Sequence, residues 1–344
     1  MPALTTQYVM DLESDMQIIT EREYNRLASN LWWPKITKLR KTMARRDIVM
    51  WLLSTATIKD QGKGGNIAFD DLVMQYTEIE NRYSGAGLKL MRGQLEDTDG
   101  NGVDLASQWS GDIGAYMAYW PQKQVATLLK TGHTGSVVSY DKVPFFGTNH
   151  PINPFASQYG TYGNLLTGSA SGSYPGACPV DVSVAPDVAL DNLGKIFAYF
   201  TSIKMPNGED PRFLRPAAIL CSPRLFPRLV QLTEAKFLAQ AAGSGAASAD
   251  VSAVIKALGY ATPIMCDELA GFENDTTFFV IAENIGSTQL GGVIYTEREA
   301  YKINYYGTVD QAQLSRSQEL EWHCHGRNVV SPGHPYLVFK CKGS

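Results

Sequence analysis

The chain has 344 residues, 44% of them hydrophobic and 19% charged, which excludes wholesale disorder and leaves room for one large or two ordinary domains. A formal net charge of −4 excludes a surface built throughout for tight nucleic-acid binding, which takes a basic surplus. The five cysteines (Cys178, Cys221, Cys266, Cys324, Cys341) are scattered and form no C-x-x-C pair, which argues against a zinc ribbon or a disulfide framework.

The N-terminal residues carry acids where a signal peptide needs a basic stretch and then an apolar one. The longest strongly apolar run, 48–58, is too short to span a bilayer, so a soluble protein made in the cytosol, with no membrane partner, is expected. Residues 1–55 read as mostly helical. Acids lead (Asp11, Glu13, Asp15, Glu21, Glu23), and a basic stretch follows (Lys35, Lys38, Arg40, Lys41, Arg45, Arg46). That stretch suits either a solvated helix face or contact with nucleic acid or an acidic neighbour.

Residues 59–66, KDQGKGGN, form a polar glycine-rich loop. It lacks the G-x-x-x-x-G-K-[ST] order that wraps a phosphate, so a loop tip carrying Lys59, Lys63, Gly64 and Gly65 is expected. The flanking segments, 67–83 and 85–95, suit the two arms of a long hairpin. In EDTDGNG, Asp97, Asp99, Asn101 and Gly102 match the first half of a calcium loop. The twelfth position, which should be a bidentate Glu, is Gln108, so a turn and helix start is the better reading.

Residues 103–130 carry the strongest helical pattern. Leu105, Trp109, Ile113, Met117 and Pro121 step by four, Pro121 is expected to kink or divide the helix, and Gly132 is placed to end it. VPFFGTNHPINPF then reads as a short apolar strand entering a turn, and 152–182 as an extended loop. Helices are expected at 187–200, after Ser222 as N-cap, and at 250–258, with strands at 216–220, 262–266 and 276–282. That alternation implies an α/β unit spanning about 185–290. The remaining sequence is β-rich, and within it Leu314, Leu320, Trp322 and Cys324 share one face while Glu319, Glu321, His323 and His325 share the other.

His323 and His325 are the nearest approach to a metal site, with Glu321 or His150 as a third ligand. No G-x-S-x-G or H-E-x-x-H motif occurs, and nothing marks a catalytic residue. Catalytic residues, cofactor and metal are therefore all read as none, with Asp97, Asp99, Asn101, His323 and His325 as the weak metal candidates.

The segment YDKVPFFGTNHPINPF, followed by GNLLTGSAS, resembles the Mu-like prophage major head subunit family. The resemblance rests on an apolar pair (Phe145, Phe146), then His150–Pro151, then Asn164–Leu165–Leu166. TEIENRYSGAGLKLMRGQLEDTDG, the long helix with Pro121 and LLKTG at its end, and VIYTEREA follow the family's order, so that the likeness runs from about residue 70 to 344. It implies an α+β fold of the tailed-phage major capsid type (Hong Kong 97-type). Its expected parts are an N-terminal arm (1–55), an extended loop (56–100), a peripheral domain (101–184 and 291–344) with a spine helix at 103–130, and an axial α/β domain (185–290).

The implied function is a non-enzymatic major capsid protein that self-assembles as hexamers and pentamers into an icosahedral shell around a DNA genome. It would be found in the virion after assembly in the host cytoplasm. Scaffold, portal and decoration proteins and non-specifically held double-stranded DNA are the implied partners, and Lys59, Lys63, Gly64, Gly65, Tyr83, Tyr295 and Arg298 the subunit-contact candidates. Two other readings stay open on sequence alone. One is an encapsulin-like cage with enzyme cargo, and the other is an α/β metal-dependent hydrolase using Asp97, Asp99, His150 or His323.

Overall fold

The computed structural model describes residues 6–52, 73–91, 93, 101–167, 180–234, 261–284, 291–305 and 319–343. The expected helix at 250–258, Cys178, Leu314 and the loop 59–66 lie outside them. The other four cysteines are buried, and burial pushes the Cys324 thiol up to about 11 and Cys221 up to about 12.

The N-terminal segment is only half helical. Helix α1 (Thr6–Ala28) and a short α2 (Trp33–Ile36) are followed by strands β1 (Thr37–Lys41) and β2 (Arg46–Leu52). The basic stretch therefore lies largely on β1, in the following turn and at the start of β2, not on a helix. Three of its arginines are paired within the chain: Arg40 Nε lies 2.5 Å from Asp47, Arg45 Nη2 3.0 Å from Glu80, and Arg46 Nη1 3.9 Å from Glu78.

The expected hairpin exists with different arms. Strand β3 (Met74–Glu80) pairs antiparallel with β2, from Arg46↔Glu80 to Leu52↔Met74. Strand β4 (Arg82–Met91), the expected second arm, instead joins another sheet. Loop 59–66 thus falls within the connection between β2 and β3.

The spine helix, α3 (Asn101–Thr131), runs unbroken through Pro121 for about 46 Å at 1.5 Å per residue. Its apolar stripe differs from the four-step reading at the N-terminal end. Leu105 is 51% exposed, and the buried positions are Ala106, Ser110 and then Gly114. Small residues face inward there because α1 crosses at close range: Thr20 Oγ1 donates to the Ser110 carbonyl at 3.1 Å, and a Cβ on Gly114 would strike the Thr20 carbonyl oxygen.

Strands β11 (Val293–Tyr305) and β12 (Glu319–Pro332) complete a four-stranded sheet in the order β1-β11-β12-β4. Its β1–β11 pair is parallel and the other two pairs are antiparallel. The alternation read in β12 is realised, with Leu320, Trp322 and Cys324 buried against Leu12 and Met16 of α1 and Ile113 and Met117 of α3.

The second sheet has the order β7-β13-β10-β8-β9, from β7 (Leu165–Leu166), β8 (Leu214–Cys221), β9 (Thr262–Met265), β10 (Thr277–Asn284) and β13 (Val338–Lys342). It is not confined to 185–290, because β10 needs a partner on each side and takes β13 from the C-terminal segment as the second. Helices α4 (Pro186–Ser202) and α5 (Phe226–Glu234) share one core with this sheet. The second core is filled by Val125, Leu128 and Leu129 of α3 with Trp32, Phe145 and Phe146. Ser222 is followed by a turn, so α5 starts at Phe226 and not beside Pro223, although Ser222 Oγ still accepts from the Leu225 N–H at 3.4 Å.

Phe145 and Phe146 are buried but irregular, and the extended pairing there shrinks to His150–Pro151 (β5) against Thr161–Tyr162 (β6). What holds this segment is Asn164, fully buried. Its Oδ1 accepts from Gly147 N–H at 2.8 Å, and its Nδ2 donates to the carbonyls of Phe145 (2.7 Å), Pro335 (2.9 Å) and Val338 (3.2 Å).

Candidate subunit interface

The β2–β3 ribbon has two apolar faces. Alternation along β2 turns Val49 and Trp51 inward, where they form a small core with Ile79, Tyr140 and Ile294. Trp51 also meets the buried His334 edge-on, with ring centroids 4.1 Å apart, and its Nε1 donates to Thr77 Oγ1 at 3.1 Å. Burial, and then the nearby Arg212 guanidinium, hold His334 well below the usual histidine range.

The opposite face carries Ile48, Met50 and Leu52 from β2 with Met74 and Tyr76 from β3. Met50 and Tyr76 are direct cross-strand partners, 63% and 66% exposed, and Leu52 faces Met74 in the same way. Five large apolar side chains on one open face of a two-stranded ribbon are more than scattered surface residues, and a ribbon of this kind is marginal without something to pack on.

Of the residues singled out from sequence, Tyr83 is exposed at the start of β4, with the Arg327 guanidinium 3.3 Å from its ring centroid. Tyr295 is a correction: it is 2% exposed and packs edge-on against Trp33 at 4.9 Å, so its side chain is withdrawn from the outer surface. Val293, Ile294 and Thr296 beside it are buried as well, so this part of β11 is covered on both faces. Arg298 is half-buried at an irregularity in β11 between Glu297 and Glu299. Lys59, Lys63, Gly64, Gly65, Asp97 and Asp99 lie outside the described residues; Asn101 opens α3.

The histidines do not gather. His323 and His325 stand on the outer face of β12, 3.6 Å from Glu321 and 3.9 Å from Glu299. His150 is fully buried elsewhere, its Nδ1 2.6 Å from Asp141 Oδ2 and its ring stacked on Tyr162. Among the described residues no three His, Cys, Asp or Glu side chains form a group able to hold a metal, and no helix is long and apolar enough to cross a membrane. The Asp141–His150 pair was not foreseen; only the His150–Pro151 motif pointed to this segment.

The model of the family described as Mu-like prophage major head subunit gpT matches residues 14–175. That span is just under half of the chain, and over it the chain is similar to this family. The match takes in the second part of α1, the β2–β3 ribbon, α3 and the Asn164 staple. Its solved likenesses show the fold. The cyanophage P-SCSP1u capsid chain is 14% identical with a TM-score of 0.52, over 90% of this chain and 86% of that one. A chain of the bacteriophage PhiM1 mature capsid is 10% identical with a TM-score of 0.51, over 91% and 87%. The capsid chain of Myoviridae phage XM1 is 8% identical at 0.50, over 88% and 86%. The fold is the tailed-phage capsid fold, Hong Kong 97-like. No curated protein sequence matches this chain.

Proposed function

We propose that this protein is a phage major capsid protein that assembles as hexamers and pentamers into a closed icosahedral shell around double-stranded DNA, with the β2–β3 ribbon packing its outward apolar face on a neighbouring copy. The observation that carries the reading is the exposed row Ile48, Met50, Leu52, Met74 and Tyr76, whose reverse side is already anchored by Trp51. The subunit is assigned to the virion, assembled in the host cytoplasm. Scaffold, portal and decoration proteins are the natural partners of such a shell. Contact with DNA would be loose and non-specific, in keeping with a net charge of −4 and with arginines paired to the hairpin's own acids. Expressed alone or with its scaffold, the protein is expected to sediment as hexamers, pentamers or closed shells visible by negative-stain microscopy. A strictly monomeric species at high concentration under both conditions would contradict the reading.

The outer-face histidines are assigned a structural or interfacial role and no metal. The double change His323→Ala and His325→Ala is expected to leave metal content as it is in the unchanged protein and to cost less than about 1 kcal/mol, since the ion contacts to Glu321 and Glu299 are long, at 3.6 and 3.9 Å, and partly open to water. One equivalent of tightly held zinc, lost in the double variant, is the result that rules this out.

A further inference from the structure

We propose that a groove between α1, α3 and β11 is a binding site for an organic cation, a primary ammonium or a guanidinium. The cavity holds about 570 Å³, within the range of small-ligand sites. Tyr24 of α1, Trp33, and Tyr295 and Tyr301 of β11 line it, with Met117 and Pro121 on the α3 side. Irregular pairing in β11 between Glu297 and Lys302 opens this wall, because the strand there leaves its regular register with β12.

The charges in the groove are unbalanced. Glu21 and Glu297 both line it, and among the described residues neither has a cation within ion-pair range. The cation on the rim, Lys302, is already held by Glu299 at 3.3 Å. The aromatic and acidic groups converge. Burial first and then the charge of Glu297 push the Tyr24 phenol up, and burial followed by Glu297, Tyr301 and Tyr24 does the same to Tyr295.

Each class of ligand meets this arrangement differently. An anion would face Glu297. A neutral apolar molecule would strip water from that carboxylate and give it nothing in return. An ammonium or guanidinium gains the carboxylate and the negative faces of the aromatic rings together. Two sources supply that chemistry: a free polyamine, or a lysine or arginine side chain from a neighbouring copy.

Calorimetric titration of the full-length, unassembled subunit with spermidine, and separately with N-acetyl-arginine amide, tests the proposal. Saturable binding of one equivalent is expected, with none for butane-1,4-diol. Glu297→Gln is expected to weaken it by about 10-fold, Tyr24→Leu by about 3-fold, and Tyr24→Phe, which keeps the ring face, by less than about 2-fold. Circular dichroism establishes that each variant is folded; should Glu297→Gln fail to fold, Glu21→Gln on the exposed side of α1 takes its place. Repeating the titration on assembled shells separates the sources: undiminished capacity assigns the site to a free cation, and lost capacity to a neighbour's side chain. Absence of saturable binding to the free subunit, or equal affinity in the wild type and the carboxamide variant, overturns the assignment whether or not shells form.

Discussion

Replacing Met50 and Tyr76 together by aspartate is expected to leave the subunit folded and to stop shells from forming. Both side chains are about two-thirds exposed and face each other across the ribbon, so the isolated subunit loses little packing. In a shell each of the five outward side chains would contribute on the order of 1 kcal/mol as it leaves water, repeated at every copy of the contact. Two carboxylates buried there without partners cost several kcal/mol instead, enough to reverse the sign of a contact of that size. The unfolding midpoint of the purified subunit should move by less than about 3 °C, while sedimentation shows only free subunits or small oligomers. The inner face supplies the contrast: Trp51→Ala should lower subunit stability by about 3–5 kcal/mol, because Trp51 is 4% exposed and packs on Tyr140 and His334. Amide exchange gives a second reading, with residues 46–52 and 74–80 better protected in shells than in free subunits. Shells of normal yield and size from the double aspartate variant would show that the ribbon's outer face is not an assembly contact.

The second large effect is expected at a single buried amide. Asn164→Asp should destabilise the subunit by about 3–5 kcal/mol at neutral pH, read from urea unfolding. The asparagine side chain accepts from one backbone N–H and presents its NH₂ group to three carbonyl oxygens, from Phe145, Pro335 and Val338. An ionised aspartate keeps the acceptor and aims a second negative oxygen at those carbonyls. The sign of the pH dependence follows. An aspartate buried among acceptors has its folded pKa raised, so the unfolded chain loses its proton at lower pH than the folded one. The variant's deficit should therefore shrink as pH falls from the raised folded pKa towards the ordinary aspartate range, as the folded carboxyl takes up a proton and can donate once, and should level off below that range. A deficit that does not change between neutral and acid pH would mean the loss comes from shape and not from the donor. Asn164→Leu, which removes donor and acceptor together, should be destabilised at every pH.

These two sites mark what was legible in the sequence and what was not. The spine helix and the alternation of β12 could be read because each has one buried face and one open face, which leaves a clean period. The β2 strand could not. Its run Ile48, Val49, Met50, Trp51, Leu52 is apolar at every position, since one face packs on the chain and the other stands open, and a run without alternation gives no period. The same property that hid the strand is what makes it a candidate contact. Strand β1 was illegible for another reason: four of its five side chains are exposed, and the bonds that make it a strand come from residues 293–297, far along the chain. The motif at Asn164–Leu165–Leu166 supported the family resemblance, but the role of its asparagine needs the backbone around it to be seen, because three of its four partners are carbonyl groups with no signature in side-chain sequence. Tyr295 and Leu105 were misjudged in opposite directions: an exposed place was expected for the first and a buried one for the second, and packing of α1 against α3 and β11 exchanged them.

The parallel pairing of β1 with β11 also fixes when the subunit can close. A ribosome that has just made Lys41 must add roughly 250 residues before Val293 and its successors emerge, an interval of about 12–50 s at 5–20 residues per second. Helix α1 can rest on α3 much sooner, but Trp322 and Leu320, which fill the space beneath both helices, are made later still. For most of its synthesis the chain therefore carries a helix pair with its sheet-facing side bare and a strand with nothing to bond. Contacts this distant in sequence are slow to form even after release. The nascent chain thus offers an apolar surface to any chaperone within reach before it offers one to another copy of itself.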